Sequence, residues 1–354
     1  MEFGIAYPAR LDAWKDLVRA EELGFSYAWF YDSQMLYSDV YACLALAAEH
    51  TKTIKLGTGV AIPSSRLAPV TAHSIATINQ LAPGRAILGI GTGFTGRNTM
   101  GLPPVRLGPT REYMQQCRAL LRGEEILFRE GERERWIRFL HPEHGYINLQ
   151  DSIPIYFAAN GPKAMELTGE VADGWITVFS DAEHFSQDLA SVARGAEKAG
   201  RSVDAIARMA LTTTCLLQPG ESPTSPRVIE RVGPYAILPL HAMWEGSAVA
   251  VEQSPLGQLY ARYRDDYIAK MQTPLDRRYL EVHEGHLIYL KPGEEDYLTE
   301  DLIRTSTLTG TSEEIIARIK ALEAAGLTQV AVQVVTDGRE LIEEFGREVI
   351  AKYQ

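Results

Sequence analysis

"AILGIGTGFTG", residues 86–96, decides between two folds. An apolar run gives way to glycines, and Gly91-Thr92-Gly93-Phe94-Thr95-Gly96 satisfies G-x-G-x-x-G letter for letter. A dinucleotide fingerprint needs more than the letters. Its glycines open a helix directly in a first βα turn, and an acid follows about 20 residues on, at the end of the next strand. Here Gly96 runs into "RNTMGLPPVRLGPT", which carries three prolines and no helical face. The next acid, Glu112, falls inside a helical pattern, and the glycines follow the fourth apolar run of the chain.

The flanking sequence explains the count of four. Short apolar runs occur at 3–7, 27–32, 54–60, 86–91, 153–159, 174–179, 207–217 and 329–335. They are continuous rather than alternating, as strands buried on both faces of a parallel sheet must be. Segments with apolar residues at helical spacing lie between them, such as Val40, Cys43, Leu44 and Ala47 behind a cap at Ser38 or Asp39. Thr311 with Glu314 reads as a capping box that opens a helix through Ile315, Ile319 and Leu322. Eight such units predict a TIM barrel. The charged stretch 123–152 reads as a loop or small hairpin, and about 218–300 as a long, partly helical insertion between the seventh strand and the eighth helix. No domain boundary stands out, so residues 1–354 are expected to form one domain.

Composition narrows the partners. Of 354 residues, 45% are hydrophobic, enough for a packed core. With 35 basic and 46 acidic residues the net charge is -11, which argues against nucleic acid or an anionic membrane as partner. No apolar run reaches 18 residues and the N-terminus lacks a basic leader, so a cytoplasmic protein acting on a small molecule is expected. Cys43, Cys117 and Cys215 are too scattered for a metal or redox pair and read as buried thiols.

Barrel active sites collect at strand C-termini. Three of these ends are glycine-rich here: "LGTGV", "GIGTG" and "AANGPK". Backbone without Cβ can approach a flat ligand closely, so the three ends together predict a ligand platform. Asn160 and Gly161 end the fifth strand, and Pro162 opens a helix whose free N–H groups, with Lys163, suit a phosphate.

These residues also carry a resemblance. "IKLGTGVAIPSSRLAPV", "PIYFAANGPKAMELTGEVADGWI" and "DVYACLALAAEHT" are similar to the bacterial-luciferase-like, flavin-dependent oxidoreductases, above all to the branch of methylenetetrahydromethanopterin reductase. The likeness is strong over residues 1–200, returns at "TGTSEEIIARIKALEAAGLTQVAVQ" and fails over about 218–300. It implies coenzyme F420 as cofactor, with FMN as alternative, lying across the strand ends. It implies a strand-three bulge with a cis peptide at Gly59–Val60 under the ring. Gly91, Thr92 and Gly93 would lie beside it, with Asn160, Gly161, Pro162 and Lys163 at the phosphate. The family's histidine after the strand-two aspartate is replaced by Ser33, beside Asp32. Its strand-four carboxylate is replaced by Phe94, and its strand-one carboxylate by Ala6. Tyr7, Tyr31, Ser33, Gln34 and Arg97 are the polar groups left near the ring.

The resemblance further implies a homodimer and a separate cofactor reductase as partners. The reaction it implies is hydride transfer to or from a small organic substrate. An FMNH2/O2-dependent monooxygenase of an apolar substrate is the alternative, and a flavin-binding barrel without turnover a second. Ser33, Tyr31 and, from the insertion, His286 are the candidate catalytic groups. "HEGH" (His283, His286) and "HPEH" (His141, His144) lack the H-E-x-x-H spacing of metalloproteases, so no metal is expected, although a metal-dependent hydrolase is the rival class. Trp136, Trp175 and Trp244 read as core or pocket wall.

Overall fold

The structure is a computed structural model that describes residues 1–246, 256–335 and 338–353. Eight parallel strands close into a barrel: β1 (Glu2–Tyr7), β2 (Tyr27–Phe30), β3 (Lys55–Thr58), β4 (Ala86–Ile90), β7 (Ile155–Ala158), β8 (Gly174–Val178), β9 (Ala207–Thr212) and β12 (Gln329–Gln333). Each neighbours the next in sequence, and β12 closes on β1 through Gly4 opposite Ala331. The TIM barrel is thus observed. β5 (Ile126–Glu130) and β6 (Arg133–Ile137) form the antiparallel hairpin within 123–152.

The outer layer is helical: α1 (Trp14–Glu22), α2 (Val40–His50), α3 (Ala68–Leu81), α4 (Phe94–Asn98), α5 (Leu107–Leu121), α6 (Pro162–Val171) and α7 (Ala182–Lys198), then α13 (Ser312–Ala324) and α14 (Gly338–Glu348). Asp39 caps α2 by accepting from Tyr41 N and Ala42 N, and the Thr311–Glu314 capping box is formed in full. The sequence pattern missed α4. It begins directly after Gly93, but five residues are too few to display a periodic face.

The seventh apolar run is divided. Residues 207–212 belong to the barrel, whereas β10 (Thr214–Leu216) leaves it and pairs with β11 (Leu308–Gly310). That parallel ribbon ties together the two ends of the insertion, which contains α8 (Pro226–Ala236), α9 (Leu238–Trp244), α10 (Gly257–Arg262), α11 (Arg278–His283) and α12 (Glu300–Ser306). The insertion has its own core, including Val232, Leu240, Tyr263, Val282 and Leu302.

Strand alternation splits the remaining core in two. Trp29, Tyr31, Ile87, Tyr156, Ile176 and Met209 fill the barrel, while Ile5, Phe30, Leu56 and Leu88 face the helices. Small residues make room for the interior rings. A Cβ on Gly57 would lie 2.5 Å from the Trp29 ring, and one on Gly174 2.4 Å from that of Tyr156. The three cysteines are buried and free. Trp175 is buried, but Trp136, on the hairpin, is 69% exposed and walls nothing. No described helix is long and apolar enough to cross a membrane.

Backbone also crowds Gly89, where a Cβ would sit 2.0 Å from the Thr58 carbonyl oxygen. Gly89→Ala is therefore expected to destabilise the fold by about 1–3 kcal/mol in denaturant unfolding. Gly108, in α5 with nothing within 4 Å, is the control. Its change to Ala should stabilise by about 0.4–1 kcal/mol.

Candidate active site

A cavity opens at the C-terminal ends of β2, β3, β4 and β7. It is lined by Tyr31, Asp32 and Ser33 after β2, by Gly59, Val60 and Ile62 after β3, and by residues 91–96 after β4. Ala158 and Asn160 close one side; Tyr37, His286 and Leu287 close another. The three glycine-rich ends predicted from sequence do meet.

The floor comes from a break in β3. The Gly59–Val60 peptide is cis, as the resemblance implied. Gly59 N donates to Phe30 O at 2.6 Å, and pairing with β4 resumes at Ala61. Ala61 N donates to Gly89 O, and Ala61 O accepts from Gly91 N. Between these bonds the chain bulges and turns Val60 toward the cavity.

The glycines of "GTGFTG" serve this bulge. A Cβ on Gly91 would lie 2.4 Å from Val60 Cγ2; on Gly93 and Gly96 it would lie 2.6 Å from Ile62. Gly93 also has φ +85°, a conformation glycine adopts at no steric cost. The sequence predicts direct approach of a ligand to bare backbone at these positions. Instead, the missing side chains make room for Val60 and Ile62, which form the shelf. Gly161 differs: a Cβ there would meet nothing within 4 Å, so packing does not demand glycine at that position.

Two walls carry the polar groups. Asp32 is buried and accepts from Arg66 Nη1 at 2.8 Å. Burial pushes its carboxyl pKa up, and the Arg66 charge works against that shift. Tyr31 Oη donates to Gln333 Oε1 at 2.6 Å, and burial holds this phenol well above its usual pKa. Gln333 Nε2 donates to Leu287 O at 3.2 Å, and Tyr37 Oη to His286 O at 2.7 Å. These bonds hold a strap from the insertion across the mouth of the barrel. Leu287 sits in it at φ +62°, a conformation that costs a bulky residue about 1–3 kcal/mol. The same turn aims Leu287 into the barrel interior and sets His286 in the cavity wall. His286 Nε2 is 3.3 Å from Thr95 Oγ1, while its Nδ1 is buried without a partner. Burial, then the neighbouring His283, His241 and Lys291, push its pKa well below the usual histidine value. It is a neutral imidazole at neutral pH.

The structure brings Tyr31, Asp32, Ser33, Gly59, Val60, Gly91, Thr92, Gly93, Asn160 and His286 together. Tyr7 lies elsewhere. Ala6 takes the inward position on β1, so Tyr7 turns outward, stacks on Phe30 at 5.9 Å and lines a separate cleft with Arg10 and Ile288. Gly161, Pro162 and Lys163 lie past the rim; Pro162 and Lys163 are exposed because α6 starts outward from the strand. Gln34 and Arg97 are committed to the loops: Gln34 Nε2 donates to Gly96 O, and Arg97 Nη1 to Ser64 Oγ.

Sequence reading missed Tyr37, Ile62, Arg66, Leu287 and Gln333. Ile62 and Arg66 stood in the quoted "IKLGTGVAIPSSRLAPV" and Gln333 ends the quoted "TGTSEEIIARIKALEAAGLTQVAVQ"; Tyr37 and Leu287 gave no local signal. Among described residues, His141, Glu143 and His144 form one exposed group of closely spaced ligand atoms. His283 Nε2 is instead bound to Glu245 Oε1 at 2.8 Å.

The depressed His286 pKa predicts an acid limit to stability. The unfolded chain takes up a proton near its ordinary pKa, about 6.5, before the folded site does. This contribution is complete above that pH and is lost as pH falls below it. Lowering pH from 7.5 to 5.5 should reduce the denaturant midpoint less for His286→Asn than for the unaltered chain.

Comparison with known proteins agrees with this geometry. A 5,10-methylenetetrahydromethanopterin reductase of Archaeoglobus fulgidus is 28% identical over 344 residues, covering 94% of this chain and 93% of its own. An F420-dependent glucose-6-phosphate dehydrogenase of Kineococcus radiotolerans is 30% identical over 307 residues, covering 80% and 88%. The solved structure of the coenzyme F420 dependent tetrahydromethanopterin reductase from Methanopyrus kandleri superposes with a TM-score of 0.72 at 25% identity, covering 100% of this chain and 99% of that one. Residues 1–329 match the luciferase-like monooxygenase family, and the chain belongs to that family.

Proposed function

We propose that this protein is an oxidoreductase that binds coenzyme F420 and transfers hydride to or from a small organic substrate. The observation that carries the reading is the Val60 shelf, resting on Gly91 at the barrel mouth and walled by a neutral imidazole. Relatives that cover most of the chain are named as F420-dependent enzymes, which supports the deazaflavin over FMN.

The residues present fit such a group. Val60 and Ile62 offer an apolar floor for a tricyclic ring, and Asn160 is one polar group at its edge. Gly161 leaves open space at the start of α6, where free N–H groups and Lys163 suit the cofactor's phosphate. When bound, the deazaflavin supplies the hydride chemistry. The chain orients the ring, keeps water out and handles the proton. Asp32 is held by Arg66, and Tyr31 is a buried phenol already bonded to Gln333. Neither is free to trade a proton with substrate. His286, neutral and with an unpartnered Nδ1, is the acid/base of this reading, and Ser33 assists as a hydroxyl lining the same cavity. A second copy of the chain and a reductase that renews reduced cofactor are the partners that go with it.

Titrating the apoprotein in parallel with F420 and FMN checks the cofactor. F420 should bind at least about tenfold more tightly, a difference of about 1.4 kcal/mol; tighter FMN binding would point to the monooxygenase reading. Gly91→Ala, which must displace Val60, should weaken F420 binding by about tenfold. In the hydride-transfer reaction found by screening, His286→Asn should lower kcat by about 100-fold or more, with F420 affinity nearly unchanged. An unaltered kcat would remove His286 from the chemistry.

A further inference from the structure

Behind His286 lies a second cavity, a groove of about 730 Å³ against about 200 Å³ for the first. One wall is the loop after β2, with Met35 and Leu36; the other is α11 and the strap that follows it. His286 belongs to the lining of both cavities, so a molecule seated in the groove abuts the ring site.

Thr99, Gln272, Thr273 and Tyr289 line the groove with hydroxyls and an amide, and its ionisable groups are two histidines and two carboxylates. His283 is 2% exposed and its Nε2 faces the Glu245 carboxylate, which can only accept. In the neutral ring the proton is then on Nε2, and Nδ1 is an acceptor. That Nδ1 is buried with no partner, and so is Nδ1 of His286, whose ring centroid is 5.5 Å away. Glu281 and Glu284 add two carboxylates. No lysine or arginine is among the described residues lining either cavity. The cations nearby are engaged: Lys291 Nζ with Glu294 and the Val282 carbonyl, Arg278 with the carbonyls of Met271 and Thr273. Two buried imidazole nitrogens without partners cost free energy until a hydrogen-bonding group meets them, and the one on His283 calls for a donor.

We propose that this groove is the substrate site and selects uncharged or cationic molecules that present an amine or hydroxyl donor to His283 and His286, with an apolar body along Met35, Leu36 and Leu280. Phosphorylated and carboxylated substrates are rejected, because Glu281 and Glu284 repel them and no cation is placed to receive them. The substrate role rests on the reading of the first cavity as the cofactor site; the selectivity of the groove does not.

The full-length protein, with and without bound F420, is titrated with benzylamine, benzyl alcohol, benzoate and glucose 6-phosphate by calorimetry and saturation-transfer NMR. Benzylamine and benzyl alcohol should bind, with both anions at least about tenfold weaker. Glu284→Gln, at an exposed position, should weaken benzylamine about three- to tenfold and leave benzyl alcohol nearly unchanged. His283→Gln should weaken both without altering F420 affinity. Equal binding of either anion, or indifference of benzylamine to Glu284→Gln, overturns the proposal. Should His283→Gln fail to fold, judged by circular dichroism, the Glu284 arm still decides. Donor-selective binding in a protein that takes no F420 would keep the groove and discard the functional reading.

Discussion

The site depends on one steric exchange between neighbouring strands. The chain bulges just after β3 at Gly59–Val60, and Val60 and Ile62 fill the volume left empty after β4 at Gly91, Gly93 and Gly96. Side chains at Gly91, Gly93 or Gly96 would collide with Val60 and Ile62, and without the bulge the glycines would leave a hole in a close-packed interior. Because the exchange occurs at the rim, it leaves an apolar shelf facing the barrel mouth.

The electrostatics around this shelf follow from burial. Carboxylate and phenol groups are present, yet each is tied into structure: Asp32 to Arg66, Tyr31 to Gln333. These ties hold the β2 loop and the strap in register, and they withdraw the groups from proton traffic. A buried imidazole is different. Desolvation disfavours only its charged form, so His286 is kept as a neutral group with one ring nitrogen, Nδ1, unengaged.

The insertion completes what the barrel leaves open. It builds its own core around Tyr263 and Leu302, then sends residues 283–289 back across the mouth. Leu287 accepts an unfavourable backbone conformation there, fixed by Tyr37 and Gln333 from two different strand ends. Stored strain of this kind persists only where surroundings over-determine it, and it is concentrated at functional sites.

The barrel was legible from local order, because eight continuous apolar runs separated by helical patterns have one compact parallel solution. The meeting of the three glycine-rich ends was legible for the same reason, since strand C-termini of a barrel share a face. Strand parity at β1 was not: Ala6 and Tyr7 are both apolar enough to face inward, and in the closed barrel Ala6 takes that side while Tyr7 stacks on Phe30 outside it. The purpose of the G-x-G-x-x-G glycines was not legible either, because their partners, Val60 and Ile62, sit about thirty residues earlier. Nor could the pairing of His286 with Thr95, or of Arg66 with Asp32, be read in advance. Period and composition are written along the chain and set the architecture. Which side chains share a cavity depends on contacts between distant segments, and those exist only once the barrel has closed.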